Sequence, residues 1–311
     1  MSLVIQVKHL TKNFKEVKAV DDLSFTVEAG QVYGFLGQNG AGKSTTIRLL
    51  LTLIKPSSGD IEIFGMSLRH HRKEILRQVG AIIERPDLYK YLTALENLRL
   101  FGRMSGVKIS EKKLMEQLDM VGLAERANSK VKTYSQGMKQ RLGIAIALVH
   151  DPGLIILDEP TNGLDPQGIA DIRNLILQLS KELKKTLLIS SHLLSEMELI
   201  ADSMLIIDKG KKVVEGKVNA LFDPAETMVE LKTTDDAISF EKLQRSGLQK
   251  WVQGKRNDCI LLKLHRNEIP AVLKEMIQMD LQVVSFHSKH SLEDYFLSLT
   301  TGHPHVEFIK N

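Results

Sequence analysis

The chain predicts an α/β fold: a mainly parallel sheet with a helical insert near its middle, followed by a smaller α+β unit. Three observations carry this. Short apolar runs alternate with helix-period segments from Leu3 to about Gly216. Between Pro86 and Val149 the pattern turns mostly helical. From about Lys217 a second apolar pattern begins, in the order strand, helix, strand, strand, helix, strand. That order is the split βαβ, or ferredoxin-like, arrangement.

Leu3 to Leu10 and Leu23 to Glu28 read as early strands, and Glu28-Ala29-Gly30-Gln31 as the turn into a buried strand, Gln31 to Leu36. Ser44 to Leu53 reads as a helix. Pro56 to Asp60 is a turn, and Ile61 to Phe64 resumes a strand. Thr93-Ala94-Leu95-Glu96 is a capping-box sequence that opens a helix. Leu154 to Leu157 is an apolar strand, Ile169 to Lys184 an amphipathic helix, Thr186 to Ser190 a strand and Leu193 to Ile200 a helix. Met204 to Ile207 and Val213 to Glu215 close the region. In the second unit the strands are Met228 to Lys232, Lys250 to Gln253, Cys259 to Leu264 and Gln282 to Phe286. Its helices are Asp236 to Leu243 and Ile269 to Met279, with a last one at Leu292 to Leu299. The expected division is 1–216, with a helical subdomain at about 86–150, then 217–301, then a mobile tail at 302–311. Val229, Leu231, Ile260, Leu262, Val283 and Val284 are the expected core of the second unit.

A length of 311 residues suits two domains, and 43% hydrophobic residues allow a substantial core. With 42 basic and 38 acidic residues the net charge is +4, too weak and dispersed to indicate nucleic acid. One cysteine, Cys259, excludes an internal disulfide and fits a reducing compartment. Met1 to Val20 is charged throughout, unlike a signal peptide. Leu49 to Ile54 and Gly143 to Val149 are apolar runs too short to span a bilayer. If the protein serves a membrane, it does so from the side.

The segment Gly37-Gln38-Asn39-Gly40-Ala41-Gly42-Lys43-Ser44-Thr45 fits the phosphate-loop pattern G-x-x-x-x-G-K-[ST]. Glycines let the backbone curl so that successive N–H groups point at phosphate oxygens. Lys43 supplies a cation for the β- and γ-phosphates, and the Ser44 hydroxyl can ligate Mg²⁺. The loop joins a buried strand to a helix whose positive N-terminus faces the nucleotide. Downstream, Leu154-Ile155-Ile156-Leu157-Asp158-Glu159 is an apolar strand ending in two carboxylates. Asp158 is placed to hold Mg²⁺, directly or through water, and Glu159 to take a proton from, or orient, the attacking water. Between these lies Tyr134-Ser135-Gln136-Gly137-Met138-Lys139-Gln140-Arg141. Ser135 and the first N–H groups of the helix after it would face a γ-phosphate. A serine there is equally an ordinary N-cap.

Here the sequence resembles the ATP-binding cassette (ABC) family of P-loop NTPases. Ser135 and Gly137 match the Ser and second Gly of its signature; Gln136 and Met138 depart from the commonest form. Asn162-Gly163-Leu164-Asp165 matches the family's D-loop. His192 ends its strand as the switch histidine does, and Phe14 sits where the family places an adenine-stacking aromatic, although a core phenylalanine remains the alternative. Glu84, in Val79-Gly80-Ala81-Ile82-Ile83-Glu84-Arg85-Pro86, stands where most members have glutamine. A carboxylate can ligate Mg²⁺ but cannot donate a hydrogen bond to water.

The resemblance implies an ATPase that uses ATP and Mg²⁺. Glu159, His192 and Glu84 would act in catalysis, with Ser44, Asp158 and Glu84 on the metal. Residues 37–45, Phe14, Ser135, Gly137 and Asp165 would bind nucleotide. It also implies a head-to-tail pair of two such chains, docked through a groove near Glu84 to Tyr91 on a separate membrane permease, at the cytoplasmic face, with no nucleic acid. Glu84, the signature and Ser291 to Thr300 are most similar to ATPase subunits of bacitracin-type peptide-antibiotic and drug exporters. The rival is a non-transport cassette ATPase of DNA repair or the ribosome. Arg69-His70-His71-Arg72-Lys73 reads as a solvated basic face, since adjacent histidines seldom converge on one metal ion. Nothing in the second unit forms a catalytic constellation, which points to a regulatory or dimer-supporting role.

Overall fold

The computed structural model describes residues 2–221, 226–256 and 259–289. The helix expected at Leu292 to Leu299, the Ser291 to Thr300 motif and the tail lie outside them. The chain divides into two compact units, Met1–Val218 and Asn219–Asn311.

The first unit opens with a hairpin, β1 (Leu3–Phe14) and β2 (Val17–Glu28), both longer than the sequence pattern suggests. Then follow β3 (Val32–Leu36), α1 (Lys43–Leu50), β4 (Ser58–Ile63) and β5 (Met66–Ser67). The helix stops short of Leu53 because Thr52 adopts φ 57°, a left-handed conformation that a helix cannot carry. A short α2 (Arg72–Leu76) and β6 (Val79–Ile82) come next.

The helical insert holds α3 (Ala94–Met104), α4 (Glu111–Met120) and α5 (Gln136–Ala147). Thr93 caps α3 with both bonds of the capping box in place: its hydroxyl accepts from the Glu96 N–H and its own N–H donates to the Glu96 carboxylate. The unit closes with β7 (Leu154–Asp158), α6 (Pro166–Lys181), β8 (Thr186–Ser191), α7 (Leu194–Glu198), β9 (Ser203–Asp208) and β10 (Lys211–Lys217).

Two sheets result. One is antiparallel, in the order β2-β1-β4-β5. The other is six-stranded, in the order β10-β9-β3-β8-β7-β6, with all neighbours parallel except the edge strand β10. Strands β3, β7 and β8 are buried along their whole length, as their unbroken apolar runs demand of a sheet covered on both faces. Five parallel strands, β6 to β9 with β3, therefore point their carboxyl ends to one edge. Open α/β sheets bind ligands there.

In the second unit a short α8 (Val218–Leu221) precedes β11 (Glu226–Thr233), α9 (Asp236–Gln244), β12 (Val252–Arg256), β13 (Cys259–His265), α10 (Ile269–Gln278) and β14 (Val283–Lys289). The sheet order is β12-β13-β11-β14, and every pairing is antiparallel. Val229, Leu231, Ile260 and Leu262 are buried in its own apolar cluster, against which Val283 packs. Val284 corrects the sequence expectation: it is 61% exposed. Successive residues of a strand face opposite ways, so Val283 and Val284 cannot both enter one core.

Candidate functional site

The phosphate loop leaves the end of β3 and enters α1 as its spacing predicts. Gly42 adopts φ 107°, and a Cβ on it would lie 2.5 Å from the Ala19 carbonyl oxygen. A Cβ on Gly37 would meet the Ile207 carbonyl oxygen at 2.7 Å. Both positions therefore need glycine. The loop is braced from within: the Ala41 N–H donates to the Gln38 carbonyl, and Lys43 Nζ donates to the carbonyls of Gly37 at 2.7 Å and Gln38 at 3.3 Å.

The loop borders a cavity of about 430 Å³. Gln38, Asn39, Gly40, Gly42, Lys43, Ser44 and Thr45 line it, while Gly37 and the buried Ala41 do not. The opposite wall brings Glu84, Glu159 and Asn162, which follow β6 and β7. Lys209, after β9, and Val17, Lys18 and Ala19 of β2 complete the lining. These last four carried no sequence signal, because they reach the cavity only through strand order.

At the end of β7 the two carboxylates separate. Asp158 is buried; its Oδ1 accepts from Ser190 Oγ, and its Oδ2 has no hydrogen-bond partner among the described residues. A buried, unpaired carboxylate oxygen one residue before the cavity-lining Glu159 suits a hard cation. Glu159 turns outward because its backbone adopts φ 50°. That conformation is uncommon for a non-glycine residue and is held by two bonds, from the Glu159 N–H to Ser190 O at 3.2 Å and to Ser190 Oγ at 2.9 Å. The Glu159 carboxylate bridges two side chains: Oε1 lies 3.2 Å from Lys43 Nζ, and Oε2 accepts from His192 Nδ1 at 2.7 Å. His192 follows β8, the strand between β3 and β7. Ser190 thus holds the Asp158 carboxylate and the Glu159 backbone, a role that β8's apolar pattern did not reveal.

Glu84 lines the cavity, yet its carboxylate, 62% exposed, pairs with Arg48 of α1 at 2.8 Å. Its φ of 58° turns it away from strand geometry, so it is not simply the end of β6. An exposed pair of this kind contributes only about 0.2–1 kcal/mol and exchanges partners readily. We expect Glu84→Gln to preserve nucleotide binding and Glu84→Ala to lower magnesium-dependent turnover severalfold. A titration of turnover against Mg²⁺ checks this, and an unchanged alanine variant would reduce Glu84 to a surface partner of Arg48.

Phe14 stands at the end of β1 opposite Val17, 45% exposed, with Lys12 Nζ 4.8 Å above its ring. It is not a core phenylalanine. It does not line the cavity, although its strand partner Val17 does.

Ser135 and Gly137 lie at the start of α5, and Asp165 at the start of α6. Ser135 Oγ accepts from the Met138 N–H and Asp165 Oδ1 from the Gly168 N–H, so both are N-caps. The two helix starts adjoin: a Cβ on Gly137 would come within 4.0 Å of Gly168 Cα. Tyr134 is buried behind them and donates from its hydroxyl to the Arg126 carbonyl at 2.7 Å; burial pushes its phenol above the usual range. Among the described residues lining the cavity, none of Ser135, Gly137 and Asp165 appears.

The family model described as "ABC transporter" matches residues 20–162, from β2 through the Glu159 turn. The chain is 42% identical to a bacitracin transport ATP-binding protein, BcrA, of Bacillus licheniformis, across 97% of this chain and 99% of the relative. It is 41% identical to a lantibiotic transport ATP-binding protein, SrtF, of Streptococcus pyogenes, across 77% of this chain and 99% of the relative. Among solved structures it resembles a dimeric ATP-binding cassette in a post-hydrolysis state with ADP and phosphate. The TM-score is 0.62 at 27% identity, covering 69% of this chain and 98% of that one. With near-complete coverage by relatives above 40% identity, and a phosphate loop faced across its cavity by Glu159, the chain belongs to the ATP-hydrolysing, ATP-binding subunits of ABC transporters.

Proposed function

We propose that this chain binds and hydrolyses Mg²⁺-ATP at the cavity between the phosphate loop and Glu159, as one half of a head-to-tail pair. The pair energises a separate membrane permease that exports a peptide antibiotic or drug. The observation that carries the catalytic reading is the Glu159 carboxylate held between Lys43 and His192. Glu159 serves as the general base toward water, His192 holds its carboxylate in place, and Lys43 marks where the terminal phosphates rest. Ser44 and Asp158 would hold the metal, joined by Glu84, which lines the same cavity as Ser44 and would leave Arg48 to do so. When bound, Mg²⁺ neutralises phosphate charge.

The pairing rests on the placement of Ser135, Gly137 and Asp165. They sit at two adjoining helix starts but do not line the cavity of their own chain. A second copy related by a two-fold axis can present them to that cavity. Mixing a Lys43→Ala chain with a Ser135→Arg chain tests this. Each mixed pair then has one doubly damaged site and one intact site, and turnover should rise above that of either variant alone provided one intact site suffices. Mixtures as inactive as the separate variants would count against shared sites.

The transport reading is supported by the names of the relatives, bacitracin and lantibiotic transport proteins, and by Glu84 and the signature. No helix among the described residues is long and apolar enough to cross a membrane; this reading puts the permease on a separate chain, with the ATPase working at its cytoplasmic face. The second unit has its own core and, among its described residues, no catalytic cluster, which favours a role in regulation or pairing. Affinity capture of the tagged chain from solubilised membranes should retain one polytopic protein. Retention of ribosomes or a repair complex in its place would install the non-transport reading.

A further inference from the structure

Three cavities in the first unit, of about 470, 460 and 530 Å³, lie next to one another, each sharing a lining residue with the next. None of their lining residues belongs to the nucleotide cavity. The first places Lys55, Arg69 and Arg72 around an apolar floor that includes Leu49, Ile61 and Leu68. Arg72 is shared with the second, which adds Lys73 and Arg77. Gly106 is shared with the third, rimmed by Arg99, Arg103 and Lys108. The result is one continuous belt through α2 and the far end of α3. It absorbs the Arg69–Lys73 cluster that the catalytic reading leaves unused.

The belt concentrates charge. Its linings hold eight Lys and Arg and one carboxylate, Asp60, a sum of +7, whereas the whole chain carries +4 and so sums to −3 elsewhere. Arg99 is engaged by Glu111 at 2.6 Å. The other seven have no carboxylate within ion-pair distance among the described residues, in contrast to Lys8, Lys18, Arg48, Lys185 and Lys212 elsewhere in the unit. Large exposed apolar side chains stand among them. Met104, in the second cavity's lining, is 66% exposed, and Leu53, between the lining residues Thr52 and Ile54, is 59% exposed.

We infer that this belt binds an anionic lipid surface directly, independently of the permease. The inference rests on the reading that the chain works at a membrane. Cations spread on exposed, flexible side chains match a delocalised sheet of negative charge better than one positioned partner. Isolated apolar side chains between them fit the headgroup boundary, where such residues are buried alongside basic ones. The attraction should be long in reach at low salt and should fade as the screening length shrinks.

The test uses the full chain and vesicles of phosphatidylcholine, either pure or with about one third phosphatidylglycerol. Sedimentation should show binding to the anionic vesicles only, weakening as salt rises. Arg69→Glu, Lys73→Glu and Arg103→Glu together should lower that affinity by about a hundredfold, with ATP turnover of the soluble chain unchanged as evidence of folding. Lys232→Glu, Lys242→Glu and Lys274→Glu in the second unit make the same change in net charge and should bind as the parent does. Equal binding to both lipids, equal loss in the two triple variants, or tighter binding to single-stranded RNA than to anionic vesicles would overturn the belt. Permease capture is scored separately, so an overturned belt leaves the transporter reading standing, and loss of capture with vesicle binding intact does the reverse.

Discussion

Glu159→Gln is expected to slow ATP turnover by about 10²- to 10⁴-fold while leaving nucleotide binding intact. Glu159 is fixed before substrate arrives. Its φ of 50° aims it out of β7, and Ser190 holds its N–H through both the carbonyl and the hydroxyl. Its carboxylate accepts from His192 at 2.7 Å and faces Lys43 at 3.2 Å. Glutamine fills the same volume, but its amide nitrogen cannot accept a proton and cannot receive a bond from either neighbour. The proposed metal site is spared, because Asp158 keeps its bond from Ser190 and its open Oδ2. Bound ATP should therefore persist, and the variant should elute as a pair in size-exclusion chromatography with ATP present. Near-normal turnover would remove Glu159 from the base role. Turnover lost together with ATP binding would show that it acts chiefly by holding Lys43.

Lys43→Ala is expected to remove productive ATP binding. The side chain is 5% exposed, and its ammonium bonds two loop carbonyls while facing Glu159. Hydrogen bonds to a charged group contribute about 1.5–3 kcal/mol each, so losing those to the β- and γ-phosphates should weaken affinity by at least about ten- to a hundredfold. A second effect adds to it. The partly buried Glu159 carboxylate loses its cationic neighbour, and negative charge then faces the incoming triphosphate. Titration with a fluorescent ATP analogue measures the loss, and thermal unfolding reports whether the fold survives. Affinity within twofold of the parent would show that the loop backbone and helix terminus suffice.

Much of the site was legible in the residues themselves. Glycines at 37, 40 and 42, with Lys43 and Ser44 after them, encode a phosphate cradle because φ, the absence of Cβ and a terminal cation are properties of single residues at fixed spacing. The apolar strand ending in Asp158 and Glu159, the capping box at Thr93 and the βαββαβ order of the second unit are local patterns of the same kind. Glu84 was visible only as a departure from a familiar motif.

The tertiary structure decided what touches what. The order β9-β3-β8-β7-β6 brings the loop, Glu84, Glu159, His192 and Lys209 to one edge from chain positions far apart. It lets β8 supply Ser190 to the Asp158 carboxylate and to the Glu159 N–H, and sets Arg48 against Glu84. It keeps Ser135 and Gly137 out of their own chain's cavity. It also turns Val284 to solvent and sets three cation-rimmed hollows side by side in one belt. The physical reason is that spacing along the chain determines backbone conformation and local bonds, whereas strand order and crossovers are long-range choices made by burial of the whole core.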